Sequence, residues 1–421
     1  MRMSKQKREV IPELRFPEFE HEPNWSCAKL SVVAKRSTCK NRGEKTSRVL
    51  TNSAVDGVMD QRDYFEKDIA VKGNLESYFV VDNGDYVYNP RISLAAPVGP
   101  ISKNKVGKGV MSPLYTVFRF NSENNDFFEQ FFKSSRWHRY LQKVSNNGAR
   151  HDRMSVTNKE FMAMPVPNPR DVEQQKIADF LASIDELIYL HTQKYNTLKC
   201  YKQGLMRKLF PAEGETEPKI RFPEFSKAGP WKLKPVGSVF TEKQRPINMQ
   251  DDAEYSLVTV KRRYGGLVSR GIYKGKSIKV KSQFEVHEND FLISKRQIVH
   301  CACGIVPKEL ERSIVSNEYA VLVPKNGNDV HFLNYFVQQP SVSLSFMQCS
   351  IGIVIEKMVF KLKDWLQEEF LFPEFEEQKK ISQFLGRLNF IIDEQSKKVD
   401  FLKEYKCGLM QKIFPSMDEV L

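Results

Sequence analysis

The sequence is written twice, and that duplication constrains the fold more than any other feature. Residues 15–19 read Arg-Phe-Pro-Glu-Phe and so do residues 221–225, each followed at the same distance by a tryptophan, Trp25 and Trp231. A second block repeats at an offset of 204: Glu173-Gln174, Lys176-Ile177 and Phe180-Leu181 return as Glu377-Gln378, Lys380-Ile381 and Phe384-Leu385. Further on, Leu198, Tyr201, Lys202 and Gly204-Leu205-Met206 return as Leu402, Tyr405, Lys406 and Gly408-Leu409-Met410, and both blocks close on Lys-x-Phe-Pro at 208–211 and 412–415. Between the blocks only scattered positions agree: Gly84-Asp85 with Asn289-Asp290, Arg91 with Arg296, Ser112 with Ser316, Gly148 with Gly352, and Met154 with Met358. The order is variable, repeated, variable, repeated, so one framework must be built twice.

The repeated block has the periodicity of a long helix. Steps of four and three from Ile177 meet Leu181, Ile184, Ile188, His191, Tyr195, Leu198, Lys202, Leu205 and Leu209. The second copy meets Ile381, Leu385, Leu388, Ile392, Gln395, Val399, Leu402, Lys406, Leu409 and Ile413. A 3.5-residue apolar period sustained this long marks a coiled-coil seam. Pro169 and Pro373 precede the two segments, and Pro211 and Pro415 end them. Two equal rods in one chain, with a whole domain between their ends, pair most simply with each other and antiparallel. His191 invites a catalytic reading, but its counterpart is Gln395, which carries no acid–base chemistry, so a polar seam residue fixing register is the better reading. Gly204 and Gly408 are costly inside a helix, and their repetition predicts close approach to the sister helix or to another subunit.

The variable stretches, 26–165 and 232–370, carry short β-like runs punctuated by Gly, Asn and Asp: Ser77 to Val81, Tyr86 to Tyr88, Tyr115 to Phe118, Tyr255 to Val260, Phe291 to Ile293 and Tyr319 to Val323. A helical segment near Phe127 to Val144 has a counterpart at His331 to Met347. Each stretch therefore reads as an α+β globule. The chain, 421 residues with 41% hydrophobic and 28% charged, has an ordinary globular balance and too much length for one core.

Net charge is +13, and it is not evenly spread: +9 lies in residues 1–170 and +4 in 212–372, while the helical blocks are nearly neutral. A basic balance confined to the globules points to a polyanion, nucleic acid before membrane surface. The clusters that suit phosphate neutralisation and Arg-to-guanine contacts are Lys35-Arg36 with Lys40 and Arg42; Lys103, Lys105 and Lys108; Arg136 to Arg139; Arg150-His151 with Arg153; and Lys261-Arg262-Arg263. Arg91, Arg296, Arg153 and Lys357 join them as candidates at equivalent places in the two globules.

Several functions are disfavoured. The longest apolar run, Tyr319 to Val323, cannot span a bilayer, and the basic start has no hydrophobic stretch after it, so an intracellular, cytoplasmic protein is expected. The seven cysteines contain no C-x-x-C pair, and Cys301-Ala302-Cys303 lacks partners spaced for zinc, so no metal site is expected. No Gly-rich cofactor loop follows a strand, no Asn-Pro-Pro-Tyr-like tetrapeptide occurs, and Gly266 to Gly271 lacks the Lys of a phosphate-binding loop. No Pro-Asp dipeptide supplies a restriction-type nuclease core, and Glu377-Gln378-Lys379 imitates only part of one. The chain reads as a non-catalytic recognition protein.

Two dissimilar globules, each followed by a helix that begins Glu-Gln-x-Lys-Ile and ends Gly-Leu-Met-x-Lys-x-Phe-Pro, resemble the DNA-specificity (S) subunits of type I restriction–modification systems. Glu173 to Ile177, Gly204 to Pro211, Glu377 to Ile381 and Gly408 to Pro415 carry the resemblance, with the Arg-Phe-Pro-Glu-Phe openings and the Gly84-Asp85 and Asn289-Asp290 pairs. It implies an α+β fold: β-rich target recognition domains at 1–168 and 212–372, and spacer helices at 169–211 and 373–421 (the second with a C-terminal tail) paired as an antiparallel coiled coil with a pseudo-twofold internal repeat. Each globule would read one half of a bipartite double-stranded DNA target. The helices would set the gap and dock two modification (methyltransferase) subunits, through Ile177, Leu181, Ile184, Ile188, Leu198, Gly204, Leu205, Ile381, Leu385, Leu388, Ile392, Leu402, Gly408 and Leu409. S-adenosylmethionine, ATP and Mg would sit on partner subunits, restriction (translocase/nuclease) subunits among them, and no cofactor on this chain. The alternatives are a stand-alone bipartite DNA-binding regulator or the specificity subunit of another multisubunit methyltransferase or nuclease.

Overall fold

A computed structural model describes residues 9–64, 75–145, 152–325 and 327–417. It forms two compact units: 1–192 with 397–421, and 193–396. The repeated blocks are two helices of 39 residues each, Asp171–Leu209 and Phe375–Ile413. Each helix gives its first part to one unit and its last part to the other, so compact units and the divisions read along the sequence do not coincide.

In the first unit, Ile177, Ala178, Leu181 and Ile184 of the first long helix share one core with Met410, Ile413 and Phe414 from the end of the second. In the second unit, Leu209 and Phe210 at the end of the first long helix share a core with Ile381 and Leu385 at the start of the second. The start of each helix thus packs with the end of the other, the antiparallel pairing expected from the seam. The seam residues face inward, with Leu181 and Leu385 fully buried and Ile188, Leu198, Leu205, Leu402 and Leu409 half-buried.

Each globule is built on a four-stranded antiparallel sheet of the same order. In the first it runs Ala34–Arg36, Thr116–Phe120, Tyr86–Tyr88, Ile101–Lys103; in the second Phe240–Glu242, Tyr319–Pro324, Phe291–Ser294, Cys303–Ile305. The β-like runs of the sequence supply the two central strands in both. The helical segment of each globule is two helices, not one: Asp126–Lys133 and His138–Val144, and Val330–Phe336 and Pro340–Gln348. Pro340 opens the last of these, because its missing N–H is tolerated at a first turn and not within one. Aromatic residues of these helices fill the space between sheet and long helix: Phe127 and Phe131 meet Phe414, and Phe332 stacks on Phe210. The globules differ outside this frame. The first adds two small hairpin-like pairings, 50–53 with 57–60 and 79–81 with 109–111, whereas the second adds a four-stranded sheet built around Glu254–Val260.

The two repeated motifs bind each other. Arg15 grips Glu173 with two hydrogen bonds, from Nε to Oε1 at 2.7 Å and from Nη2 to Oε2 at 2.8 Å. Arg221 grips Glu377 in the same fork, both bonds 2.7 Å. Phe16 meets Phe180 edge to face, as Phe222 meets Phe384, and Lys176 and Lys380 pair with Glu18 and Glu224. Gln174 and Gln378 donate to the carbonyls of Pro169 and Pro373, closing the turn into each helix. Planar guanidinium on carboxylate is the geometry that fixes position as well as charge. The repeat is therefore an internal clasp that sets each globule on its helix. Glu377, which in sequence imitates part of a nuclease core, is committed to it.

The Gly84-Asp85 and Asn289-Asp290 pairs are also equivalent. Gly84 has φ 85° and Asn289 φ 66°, both in the left-handed region that Gly enters freely and Asn next most readily. The following Asp is buried in both, accepts from a backbone N–H three residues before it, and is held by an arginine. That arginine comes from different places: Arg119 of the strand Thr116–Phe120 in the first globule, Arg245 just beyond Phe240–Glu242 in the second.

Candidate nucleic-acid interface

Several of the expected DNA-contacting cations have partners within the protein, although Lys40, Lys105 and Lys108 stay exposed. Lys103 pairs with Asp126 at 2.6 Å, Lys105 with Glu129 at 2.8 Å, and Lys108 lies 3.6 Å from Asp82. Lys40 donates to the Ser77 carbonyl and sits over the ring of Phe79. Arg136 donates to the Gln411 carbonyl near the end of the second long helix, and its neighbour Trp137 is buried, with Nε1 donating to Phe132. Burial also lowers the pKa of His138. The Arg136 to Arg139 cluster thus serves the packing of the first unit through Arg136 and Trp137. Arg150 and His151 lie outside the described residues.

What remains in the first globule is a cleft. Arg91 and Arg153 face each other across a bridge between the chain after Tyr86–Tyr88 and the chain before the helix Asn158–Met162. They line a cavity of about 300 Å³ with Tyr64, Tyr78, Tyr115, Asn52 and Asn89. Arg91 is exposed and has no carboxylate partner among the described residues, and Arg153 has only its neighbour Asp152 at 3.6 Å. The Asn52 amide is buried, donates to the carbonyls of Val87 and Pro100, and has an Oδ1 without a partner. Two guanidinium forks beside tyrosine rings suit a phosphate or the carbonyl edge of a base. Lys35 and Arg42 are exposed, with no carboxylate partner among the described residues; Arg36, beside Lys35 on an edge strand, is half-buried.

In the second globule, Lys261-Arg262-Arg263 forms the turn after Glu254–Val260, with Arg263 and Tyr264 both in the left-handed region. Tyr264 anchors it by donating to the Val337 carbonyl at 2.8 Å; burial pushes its phenol pKa far up, so the O–H stays a donor. Arg262 reaches Gln297 and Glu356, while Lys261 and Arg263 are exposed. Arg296 is paired with Glu318 at 2.5 Å, unlike its counterpart Arg91, and Lys357 is exposed in the turn Ile355–Lys357. The structure brings together Arg91 with Arg153, and Lys261 to Arg263 with the segment that carries Lys357. It does not join the remaining clusters into one surface. The tyrosines and Asn52 carried no sequence signal, since they are scattered singly along the first globule.

On the long helices, Gly204 and Gly408 correct the expectation of close packing within the chain: a Cβ at either would meet nothing within 4 Å. Both lie on a face that also exposes Tyr201 and Tyr405 at equivalent positions. The helices also expose Leu187, Tyr189, Leu190, Phe390, Ile391 and Phe401.

Comparison with known proteins agrees with this construction. Residues 62–200 match the family model of the type I restriction modification DNA specificity domain. No curated protein matched the sequence. One similar solved chain comes from work described as the structural basis underlying complex assembly and conformational transition of the type I R-M system: 16% identity, 93% of this chain and 98% of that one, TM-score 0.55. Another is the type I restriction-modification system S subunit from M. genitalium: 12% identity, 97% and 100% coverage, TM-score 0.54. At such identities the likeness is one of fold. The fold in question is a duplicated one, two sheet-based globules each clasped to a long helix. In sequence, residues 62–200 carry the match to the type I restriction modification DNA specificity domain. Among the described residues no helix is long and apolar enough to cross a membrane.

Proposed function

We propose that each globule reads one half of a split DNA target, and that the paired long helices set the gap and dock two modification subunits. The observation that carries this is the contrast between frame and surface. The clasp and the long helix recur and the four-stranded sheet keeps its strand order, while the cations around them differ: a cleft with Arg91 and Arg153 in one globule, the Lys261 to Arg263 turn beside Lys357 in the other. Equal frames with unequal surfaces suit two equivalent partners reading two different half-sites. The exposed Tyr201 and Tyr405, beside Gly204 and Gly408, give each helix the same outer patch and support docking of one partner at each.

In this reading S-adenosylmethionine, ATP and Mg act on the modification and restriction subunits, this chain holds no cofactor, and the complex works in the cytoplasm. Exchanging residues 26–165 for those of another specificity subunit, followed by sequencing of methylated sites, should change one half-site and leave the other intact. A change in both halves would reject the modular reading, and failure to co-purify with a methyltransferase subunit would favour a stand-alone regulator.

A further inference from the structure

We propose that the hairpin of residues 350–360 in the second globule reads thymine in the major groove, its apolar tip packing on the 5-methyl group. This rests on the DNA-reading function argued above and adds to it the chemistry of one contact.

The tip is unusual for a loop. Ile351, Ile353, Val354 and Ile355 are 63%, 104%, 53% and 50% exposed. Loop tips in water are normally polar or glycine-rich, and a cluster of solvated branched aliphatics marks a surface that is covered in use. The root, by contrast, is firmly built. Ser350–Ile351 pairs with Val359–Phe360, Phe360 is buried against Phe346 and Trp365, and its N–H donates to the Lys295 carbonyl at 2.9 Å. Gly352 lies so close to the returning strand that a Cβ there would sit 2.8 Å from the Met358 Cα.

The surroundings choose the occupant. Glu356, on the same hairpin, receives Arg262 at 3.1 Å and lies 3.2 Å from His300 Nε2, which ties the Lys261 to Arg263 turn to the hairpin. Lys261, Arg263 and Lys357 stay exposed with no carboxylate partner among the described residues. An apolar tip framed by cations matches a groove whose rails are phosphates. The major groove admits a two-stranded ribbon, and the thymine methyl is the apolar group on its floor. A protein surface would not call for that frame of cations. At the same places in the repeat, the first globule carries Asn147, Ala149, Arg150 and His151, outside the described residues, so the branched aliphatic tip belongs to one half-site alone.

The test uses the full chain with its co-purified modification partner. The target is taken from sequenced methylated sites, and the half-site is the one that changes when residues 232–370 are exchanged. Duplexes carrying deoxyuridine in place of each thymine of that half-site are compared with the parent duplex and with a scrambled one. One substitution should weaken wild-type binding about fourfold, the worth of one buried methyl, and should cost nothing further in Ile353→Ala/Val354→Ala. The deoxyuridine arm needs no mutant, so it decides even if that variant folds poorly. Equal binding of every deoxyuridine duplex, or a half-site without thymine, would overturn the proposal. So would a variant that keeps full DNA affinity but loses its modification partner, which would make the tip a protein contact. If wild type failed to prefer the target over the scrambled duplex, the specificity function itself would be rejected, a different outcome.

Discussion

Gly84 and Asn289 show how much one backbone angle can demand. Both sit at positive φ before a buried aspartate, and a Cβ at Gly84 would meet nothing within 4 Å. The requirement there is conformational, not spatial. Gly84→Ala should cost about 1–2 kcal/mol in denaturant unfolding, the left-handed penalty of an L-residue, and Gly84→Asn should cost less. Equal losses for Ala and Asn would show that bulk and not φ decides. The clasp is the second residue-scale device. Glu173→Gln leaves the Arg15 guanidinium, only 12% exposed, without its counter-charge. A loss of about 3 kcal/mol is expected, read as a lower thermal midpoint, with Glu377→Gln doing the same in the second unit. At Arg91 and Arg153 the measurement is binding. An arginine on a base edge should cost about 1–3 kcal/mol and relax one position when changed to Ala, whereas one on a phosphate should weaken all sequences alike and flatten the salt slope.

Between the helices, equivalent positions have diverged. Lys406 is buried and donates to Asp185 at 2.6 Å and to Gln130 at 2.8 Å. Its counterpart Lys202 lies over the ring of Tyr335, and Asn389, standing where Asp185 stands, donates to the Tyr335 hydroxyl. Burial works against ionisation of Asp185, but the hydrogen bond from Lys406 and the charges of Lys133 and Lys406 prevail, and its pKa is held below the ordinary Asp value. A depressed carboxylate contributes stability that is present above its unfolded pKa and lost as pH falls through the folded one. Unfolding free energy measured below pH 4 should therefore fall less steeply in Asp185→Asn than in wild type. At neutral pH that variant should be weaker by about 1–3 kcal/mol, less than for a fully buried pair because Asp185 is partly solvated. Lys406→Met, which removes the charge that must be desolvated, should stay within about 1 kcal/mol of wild type or exceed it.

For the whole molecule, the spacing role of the helices depends on where length is added. The acidic linker after Ala212 looks like a free insertion point in the sequence, yet it folds back on the helix end: Pro211 bridges Pro218, and Ile220 N–H donates to the Lys208 carbonyl. Extra residues there would bulge and leave the helix unchanged. The informative insertion is four residues in each helix at the boundary of the compact units, after Thr192 and after Ser396. It adds about 6 Å, close to two base pairs at ~3.4 Å each. Sequenced methylation sites should show the gap lengthened by one or two base pairs with both half-sites unchanged. An unchanged gap at full activity would mean that the docked subunits hold the readers in register.

Sequence alone determined the frame, because a repeat and a heptad are periodic and survive reading one residue at a time. The two helices, their inward seam and the strands Tyr86–Tyr88, Phe291–Ser294 and Tyr319–Pro324 were legible for that reason. The partners of each motif were not. Arg15 and Glu173 are 158 positions apart, and only folding shows that the two most repeated motifs meet each other. The same holds for charge. Composition counts Lys103, Lys105 and Arg136 as free cations, but whether a cation faces DNA depends on which carboxylate or carbonyl the tertiary structure sets beside it. Pairing between distant residues carries no local periodicity, so the site was decided by the fold.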